Sequence, residues 1–412
     1  LFPKAKVITL EENYRSTQPI LNLTNEVIAR SKEKFSKSLY TSKKEGVRPV
    51  YVETDSENRQ SRFVSQKILE LRESGIPLND IAVLIRSGWH SNDLEVELKA
   101  SNIPFTKYGG FKFVETAHVK DVISFFKVIY NPLDRISWQR ILLLLDGLGP
   151  KGVVIFISYL IEKKKAGEKI VLDKYKAKAF YKALQKLVKL IFRYHDNLKS
   201  PAEILEEVMD FYKPFFQTKY DDYPRRTPDL ESLETISARY RDMETFLAEM
   251  SLDPPDSSQI GAMPKPDDEE KLVLSTIHSA KGLEWDTVFL ISAIDGYLPS
   301  FQSLDDPDQI EEERRLVYVA LTRAKQNLFI IKPNLDNSYN NFYRFSGRQF
   351  SRLSRFLEES GIVEQFAEKW VLVDEQARRK TTSNLPGYLR TSSHVHLPEH
   401  ESPSKGSPRY YL

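Results

Sequence analysis

The segment Glu311 to Lys325 (EEERRLVYVALTRAK) carries three arginines, Arg314, Arg315 and Arg323, within a stretch that reads as a helix. Its acidic start and basic end suit the helix macrodipole. Leu316, Val319, Ala320 and Ala324 supply one apolar face. Arg314 and Arg315 are accounted for by pairing with Glu311 and Glu312 one turn away. Arg323 has no such explanation. A guanidinium is a planar fork that stays charged and binds phosphate through parallel hydrogen bonds, so an arginine placed apart from its counter-charges suits an anion site.

Two further stretches carry chemistry. In Leu10-Glu-Glu-Asn-Tyr-Arg-Ser-Thr17, an expected strand hands over to a helix start. The turn would put Arg15 at the carboxyl edge of a sheet, where open α/β sheets bind ligands. In Ser275-Thr-Ile-His-Ser-Ala-Lys-Gly-Leu-Glu-Trp285, hydroxyls, a His and a Lys crowd one turn after a strand. Such a turn can grip a phosphodiester backbone, and Glu284 can accept from a sugar hydroxyl.

The elements that must position these residues follow from periodicity. Short apolar runs at Lys6–Leu10, Val50–Thr54 and Ile81–Arg86 read as strands. Amphipathic stretches between them read as helices: one from Ser16–Pro19 with Pro in its first turn, one over Glu57–Glu73 stopped by Gly75, one over Asn92–Ala100. The same style returns at Leu272–Ile277, Thr287–Ile291, the helix over 311–325, and Leu328–Ile331. Between lies a region, roughly 115–268, with helical signals throughout. Within it, residues 151–199 hold thirteen Lys and Arg against four Asp and Glu. Asp253–Glu270 is rich in Pro and Asp and reads as a loop, and the polar tail beyond about Glu375 reads as disordered or a linker. The expected architecture is an α/β domain (1–114 and 269–375) interrupted by an inserted helical domain (115–268), with a tail over 376–412.

Bulk numbers narrow the classes. With 412 residues the chain is long enough for two or three domains. A net charge of +2 makes any nucleic-acid surface local rather than global. There are no cysteines, which excludes disulfides and Cys-based zinc sites. No apolar run reaches the ~20 residues that span a bilayer. The expectation is a soluble, membrane-free intracellular protein. The first residue is Leu1 and the chain opens mid-pattern, as part of a longer protein would.

Six blocks stand in a telling order: Asn-Tyr-Arg-Ser (13–16), Ala-Val-Leu-Ile-Arg-Ser (82–87), Tyr-Gly-Gly-Phe-Lys-Phe (108–113), His-Ser-Ala-Lys-Gly-Leu-Glu (278–284), Asp-Gly-Tyr-Leu-Pro (295–299) and the Glu311–Lys325 segment. Together they resemble the UvrD/Rep/PcrA group of superfamily 1 DNA helicases, from Leu1 to about Phe356. The resemblance is to the second half of such an enzyme: the second RecA-like motor domain (2A), a parallel sheet between helices, with its inserted, mostly helical domain (2B). It implies that Arg15 and Arg323 contact the γ-phosphate of ATP, that Glu284 contacts the ribose, and that Gly282 belongs to the same nucleotide group. It implies that Thr276 and His278 face single-stranded DNA, with Arg86, Tyr108, Gly109 and Lys112 near its path. Gly147-Leu-Gly-Pro-Lys-Gly152 matches a family loop like a helix-hairpin-helix. There Gly147 and Gly149 would let backbone approach duplex phosphate and Lys151 would add charge. The departures are His118, where an acidic residue is usual, and Trp285, where Phe is commoner.

No Gly-x-x-x-x-Gly-Lys-Ser/Thr phosphate loop occurs in the sequence. Asp267-Asp-Glu-Glu270 precedes its strand and sits in a Pro-rich loop, so it is rejected as a Mg²⁺ motif. The resemblance therefore implies ATP and Mg²⁺ held mainly by an N-terminal motor domain, single-stranded DNA and single/double-strand junctions as partners, 3′→5′ polarity, and a cytoplasmic, nucleoid-associated location. The isolated chain is expected not to hydrolyse ATP. Three other readings compete. One is the helicase part of a recombination helicase–nuclease. Another is a non-catalytic DNA- or protein-binding remnant. The third makes the basic insertion a protein-binding surface.

Overall fold

The computed structural model describes residues 11–32, 38–43, 45–251, 270–334, 351–372 and 409–410. Cα packing divides the chain into two units that part between Gly110 and Phe111.

The first unit is built on a parallel sheet of β1 (Val50–Thr54), β2 (Ile81–Ile85), β3 (Phe105–Tyr108), β4 (Leu272–Thr276), β5 (Trp285–Leu290), β6 (Ala324–Pro333), β7 (Glu368–Leu372) and the two-residue β8 (Arg409–Tyr410). Their order is β3-β4-β2-β5-β6-β1-β7-β8. Every pairing is parallel, so each connection must cross the sheet, and helices do most of the crossing. Helices α1 (Gln18–Ala29), α2 (Glu57–Glu73) and α3 (Asn92–Ala100) come before the second unit in sequence. The second unit holds α4 (Ala117–Tyr130), α5 (Arg135–Leu142), α6 (Pro150–Lys165), α7 (Tyr181–Asp196), α8 (Pro201–Lys219), α9 (Tyr223–Ser237) and α10 (Met243–Ser251). The first unit resumes with α11 (Pro307–Leu321), α12 (Arg355–Glu358) and α13 (Ile362–Phe366).

The strand alternation sorts side chains to two cores. Ile81, Val83 and Ile85 pack on one face with Val64 and Ile68 of α2 and Leu94 and Leu98 of α3. Ala82 and Leu84 pack on the other with α1, α11, α12 and α13. This is the three-layer α/β arrangement expected from the sequence, and β1, α2 and α3 fall on the expected boundaries. Local chemistry explains α2: Ser56 accepts from the Arg59 N–H at its start, and the chain turns away at Gly75 with φ +97°.

The helix around Arg323 differs from expectation. It starts at Pro307, capped by Asp306, whose carboxylate accepts from the backbone of Asp308 and Gln309. It stops at Leu321, with no basic residue in its last turn. Ala324 belongs to β6 rather than to a helix face. Pairing of β6 between β5 and β1 overrides the helix preference of Ala320 to Ala324. Arg323 therefore lies in the tight turn between helix and strand. The arginines before it behave as read: Arg315 Nε meets Glu312 at 2.8 Å, and Arg314 Nε stands 3.5 Å from Glu311. Arg314 goes further than a surface pair. It is buried, bonds Glu359 at 2.9 Å and covers the Phe356 ring.

The second unit is all helix among its described residues, and α4 is its axis. Asp121 on α4 is fully buried. Its carboxylate is met by Arg140 at 2.6 Å, Lys219 at 2.8 Å, Tyr212 at 2.9 Å and Tyr220 at 3.1 Å. One carboxylate thus ties α4 to α5 and to the end of α8. His118, also buried, bonds Asp229 of α9 at 2.8 Å.

The Lys6–Leu10 strand, most of the Asp253–Glu270 loop, and the tail apart from Arg409–Tyr410 lie outside the described residues. Among the described residues no helix is long and apolar enough to cross a membrane.

Candidate functional site

The first candidate site is assembled from three distant segments. Asn13 Oδ1 accepts from the backbone N–H of Arg15 at 2.8 Å and of Ser16 at 2.9 Å, which shapes the turn before α1. Ser16 Oγ donates to the Ala324 carbonyl at 2.6 Å, and Thr17 N–H to that of Lys325 at 3.1 Å. The Arg15 turn is thereby stitched to the first residues of β6. Trp285, the first residue of β5, donates its N–H to the Arg323 carbonyl at 3.0 Å and pairs in register with Ala324. Arg15, Glu284, Arg323 and Lys325 therefore stand together at the amino edge of β5 and β6. The carboxyl-edge placement expected for Arg15 is corrected: its partners are strand starts, not strand ends.

Arg15 Nε donates to Glu284 Oε2, and Lys325 Nζ lies 3.3 Å from Glu284 Oε1. Arg15, then Lys325, hold the Glu284 carboxyl below the ordinary carboxylate range. Arg323 Nε donates to the Val319 carbonyl and Nη1 to the Leu283 carbonyl, each at 3.0 Å. Among the described residues it has no carboxylate of its own. Burial and the Arg15 charge depress its pKa, the mark of a cation held near another cation. Gly282 takes φ +91° in the turn leading to Glu284. The arrangement is a rigid set of cations sharing one carboxylate, and it suits a polyanion. Two residues here escaped the sequence reading. Tyr14, 74% exposed beside Arg15, presents an aromatic ring; its signal was its place inside the Asn-Tyr-Arg-Ser block. Lys43, whose Nζ donates to the Arg15 carbonyl, has no sequence signal at all.

The second candidate site lies at the opposite edge. Thr276 ends β4; its Oγ1 bonds Ser279 Oγ at 3.0 Å and accepts from the Ser279 N–H at 3.3 Å. Tyr108 ends β3, and Gly109 follows with φ +86°. A Cβ on Gly109 would strike Thr276 and come within 2.8 Å of Ser279 Oγ, so glycine is required there. His278 is exposed on the same turn. The structure thus gathers Thr276, His278, Tyr108 and Gly109. Arg86 stands at the end of the neighbouring strand β2, partly exposed, with one side of its guanidinium in an ion pair. Its Nε and Nη2 fork onto both oxygens of buried Glu313 at 2.5–3.0 Å, tying the end of β2 to α11. Lys112 belongs to the second unit.

In that unit, Gly147 takes φ +83° in the turn between α5 and α6. Gly149 caps α6, Pro150 fills its first position, and Lys151 is exposed in its first turn. Buried Leu148 pins the turn between the two helices.

The two edges of the sheet are joined by one loop. Residues 277–284 leave the carboxyl end of β4 and reach the amino end of β5, carrying His278 at one end and Glu284 at the other. Helix α11 makes the same crossing, with Glu313 toward Arg86 and Arg323 beyond its far end.

Comparison with known proteins matches residues 8–334 to the UvrD-like helicase C-terminal domain. The chain is 32% identical over 389 residues to the ATP-dependent DNA helicase PcrA of Staphylococcus epidermidis RP62A, covering 87% of this chain and 50% of that protein. It is likewise 32% identical over 375 residues to the ATP-dependent DNA helicase PcrA of Staphylococcus aureus Mu50, with the same coverage. It spans about half the length of these curated relatives. With the family's domain matched over most of its length, the chain belongs to the UvrD-like helicase C-terminal domain family.

Proposed function

We propose that the chain is the C-terminal part of an ATP-dependent 3′→5′ DNA helicase of DNA repair or replication. It supplies the γ-phosphate-sensing arginines and half of the DNA track, and it works with an N-terminal motor domain of the same protein. The observation that carries this reading is the convergence of Arg15, Glu284 and Arg323 at one sheet edge. A DNA- or protein-binding remnant has no use for a guanidinium held by two carbonyls and aimed at an edge already rich in cations.

In this reading Arg15 and Arg323 meet the terminal phosphate of ATP, Glu284 takes a ribose hydroxyl, and Tyr14 offers its ring to the base. The residues present suit the triphosphate better than its metal. The cations gathered at this edge would repel a metal ion, and this reading leaves Mg²⁺ to the N-terminal motor domain, where one or two carboxylates and the phosphates themselves would hold it. Thr276, His278, Tyr108 and Gly109 line the single-strand path at the opposite edge. The Gly147–Lys151 turn meets duplex phosphate at a junction. ATP sits in the cleft between the two motor domains, which closes on the γ-phosphate and opens when hydrolysis removes it, and the 277–284 loop and α11 carry that change from one edge to the other.

The test is steady-state hydrolysis by the full-length protein. Arg15→Ala and Arg323→Ala each lose about 10³-fold or more in DNA-stimulated kcat, the scale of a missing arginine finger, while nucleotide-free affinity for single-stranded DNA holds. The 412-residue chain alone turns over no ATP. Arginine-dependent hydrolysis by the chain alone would overturn the division of labour, and wild-type rates in both variants would overturn the assignment.

A further inference from the structure

Beyond the end of β2 the chain reads Arg86-Ser87-Gly88-Trp89-His90 and makes a short 3-10 turn, Gly88–Ser91, into α3. His90 is 3% exposed and stacks on Tyr297, with ring centroids 4.3 Å apart and planes 15° from parallel. The Trp89 ring centroid is 4.2 Å from His90 and 5.0 Å from Tyr297, at 76° and 79° to their planes. Centroids this close, at nearly right angles to both rings, fit an indole laid face-on across the edges of the stacked pair. An edge-on approach needs a wider separation. One indole face is therefore packed, and the side chain as a whole is partly exposed.

The turn beneath it is fixed. Lys107 Nζ from β3 donates to the Gly88 carbonyl at 3.0 Å and to Glu95 Oε1 at 2.6 Å, and both side chains of that ion pair are 3% exposed. Ser91 Oγ lies 2.8 Å from the Gly88 carbonyl and from Glu95. The Ser87 N–H donates to His90 Nδ1 at 3.4 Å, which requires that nitrogen to be unprotonated. The turn also stands next to the proposed strand path. β2 pairs with β4, Ile85 lies opposite Thr276, and the Ile277 N–H donates to the Ile85 carbonyl at 2.9 Å. A rigid, partly open indole thus rises one strand away from Thr276 and His278.

We propose that Trp89 is a base-stacking residue of the single-strand path, with a nucleobase lying on the indole face turned away from the His90–Tyr297 stack. This rests on the reading that the carboxyl edge carries single-stranded DNA. It adds a subsite that grips the base rather than the phosphate. Stacking on an aromatic ring tolerates any base, which suits a protein that moves along arbitrary sequence. A ring already immobilised by its neighbours loses little freedom on binding.

The test compares two oligonucleotides of equal length, oligo(dT) and its abasic counterpart, by anisotropy with the full-length protein. Wild type binds oligo(dT) more tightly than the abasic strand. Trp89→Ala weakens oligo(dT) binding roughly 5- to 100-fold and leaves abasic binding unchanged, so the preference disappears. Trp89→Phe keeps most of it. Affinity within about twofold of wild type on oligo(dT), or equal losses on both strands, would overturn the proposal. His278→Ala separates the two readings. If it weakens binding and Trp89→Ala does not, only the stacking subsite is wrong. If neither weakens it, the carboxyl-edge path is wrong as well.

Discussion

The two edges of the parallel sheet treat positive charge in opposite ways. At the carboxyl edge two cations each have a carboxylate: buried Lys107 has Glu95, and partly buried Arg86 has both oxygens of Glu313. At the amino edge Arg15 and Lys325 share Glu284, Arg323 has only backbone carbonyls, and Lys43 is bonded to the Arg15 carbonyl. A balanced pair rigidifies the fold. An unbalanced set suits an anion from outside, as the proposed ATP contact requires. The same residue type therefore carries different meanings, and the counter-charge decides which.

The largest test of that contrast replaces one arginine at each edge by lysine. Arg323 spends two nitrogens on carbonyls 3.0 Å away and still offers a charged edge, which an ammonium cannot do at once. Arg323→Lys is expected to lose nearly as much hydrolysis as the alanine variant, about 10³-fold. Arg86→Lys keeps one ion-pair contact with Glu313 and leaves the ATPase rate of the full-length protein near wild type. Equal losses at the two positions would erase the distinction between the edges.

The next largest effect is on stability. Glu313 is 4% exposed, and its removal strands the Arg86 guanidinium. Glu313→Ala is expected to cost about 3 kcal/mol in urea unfolding. Glu284→Ala, at the exposed amino edge, is expected to leave the urea midpoint almost where it was.

These pairings also mark where the sequence stops being readable. Helix and strand positions follow local pattern, so β1, α2 and α3 fall where periodicity puts them. The Arg15–Glu284 bond joins residues 269 apart, and Arg86–Glu313 joins residues 227 apart. Neither is encoded by spacing. Both depend on which strands become neighbours. That is why Arg15 is expected at a strand end yet abuts strand starts. It is also why the ion pair that Arg86 makes through Nε and Nη2 cannot be foreseen from its motif. The end of α11 is misjudged for a related reason: Ala320 to Ala324 favour helix locally, and sheet pairing of β6 takes Ala324 away.

A third test uses pH. Burial, with the Arg86 and Lys107 charges, pushes His90 from 6.5 down to about 3. An unfolded His takes up a proton as pH falls through 6.5, and the buried one does not until about 3. Between those values the unfolded state binds more protons, so stability drops toward acid. The slope approaches about 1.4 kcal/mol per pH unit, which amounts to about 2 kcal/mol by pH 5. His90→Gln is expected to remove this component from the pH dependence of the urea midpoint. A variant that still follows the wild-type profile between pH 7 and about 5 would place the acid sensitivity elsewhere.

The smallest effect is the most local. Lys325 holds one oxygen of Glu284 while Arg15 holds the other, so the carboxylate is gripped from both sides at the point where a ribose hydroxyl would arrive. The pair is about one-third exposed on each side, so its energy is at most about 1 kcal/mol. Lys325→Met frees one oxygen without moving Arg323. The expected result for the full-length protein is a rise of a few-fold in KM for ATP, with kcat unchanged, because ribose positioning is lost and the phosphate contacts stay. The 2′,3′-dideoxy analogue of ATP should show a smaller change, having no ribose hydroxyl for Glu284 to hold. If kcat falls instead, Lys325 acts on the phosphate itself, and the amino edge counts one more cation for the triphosphate than the pairing with Glu284 implies.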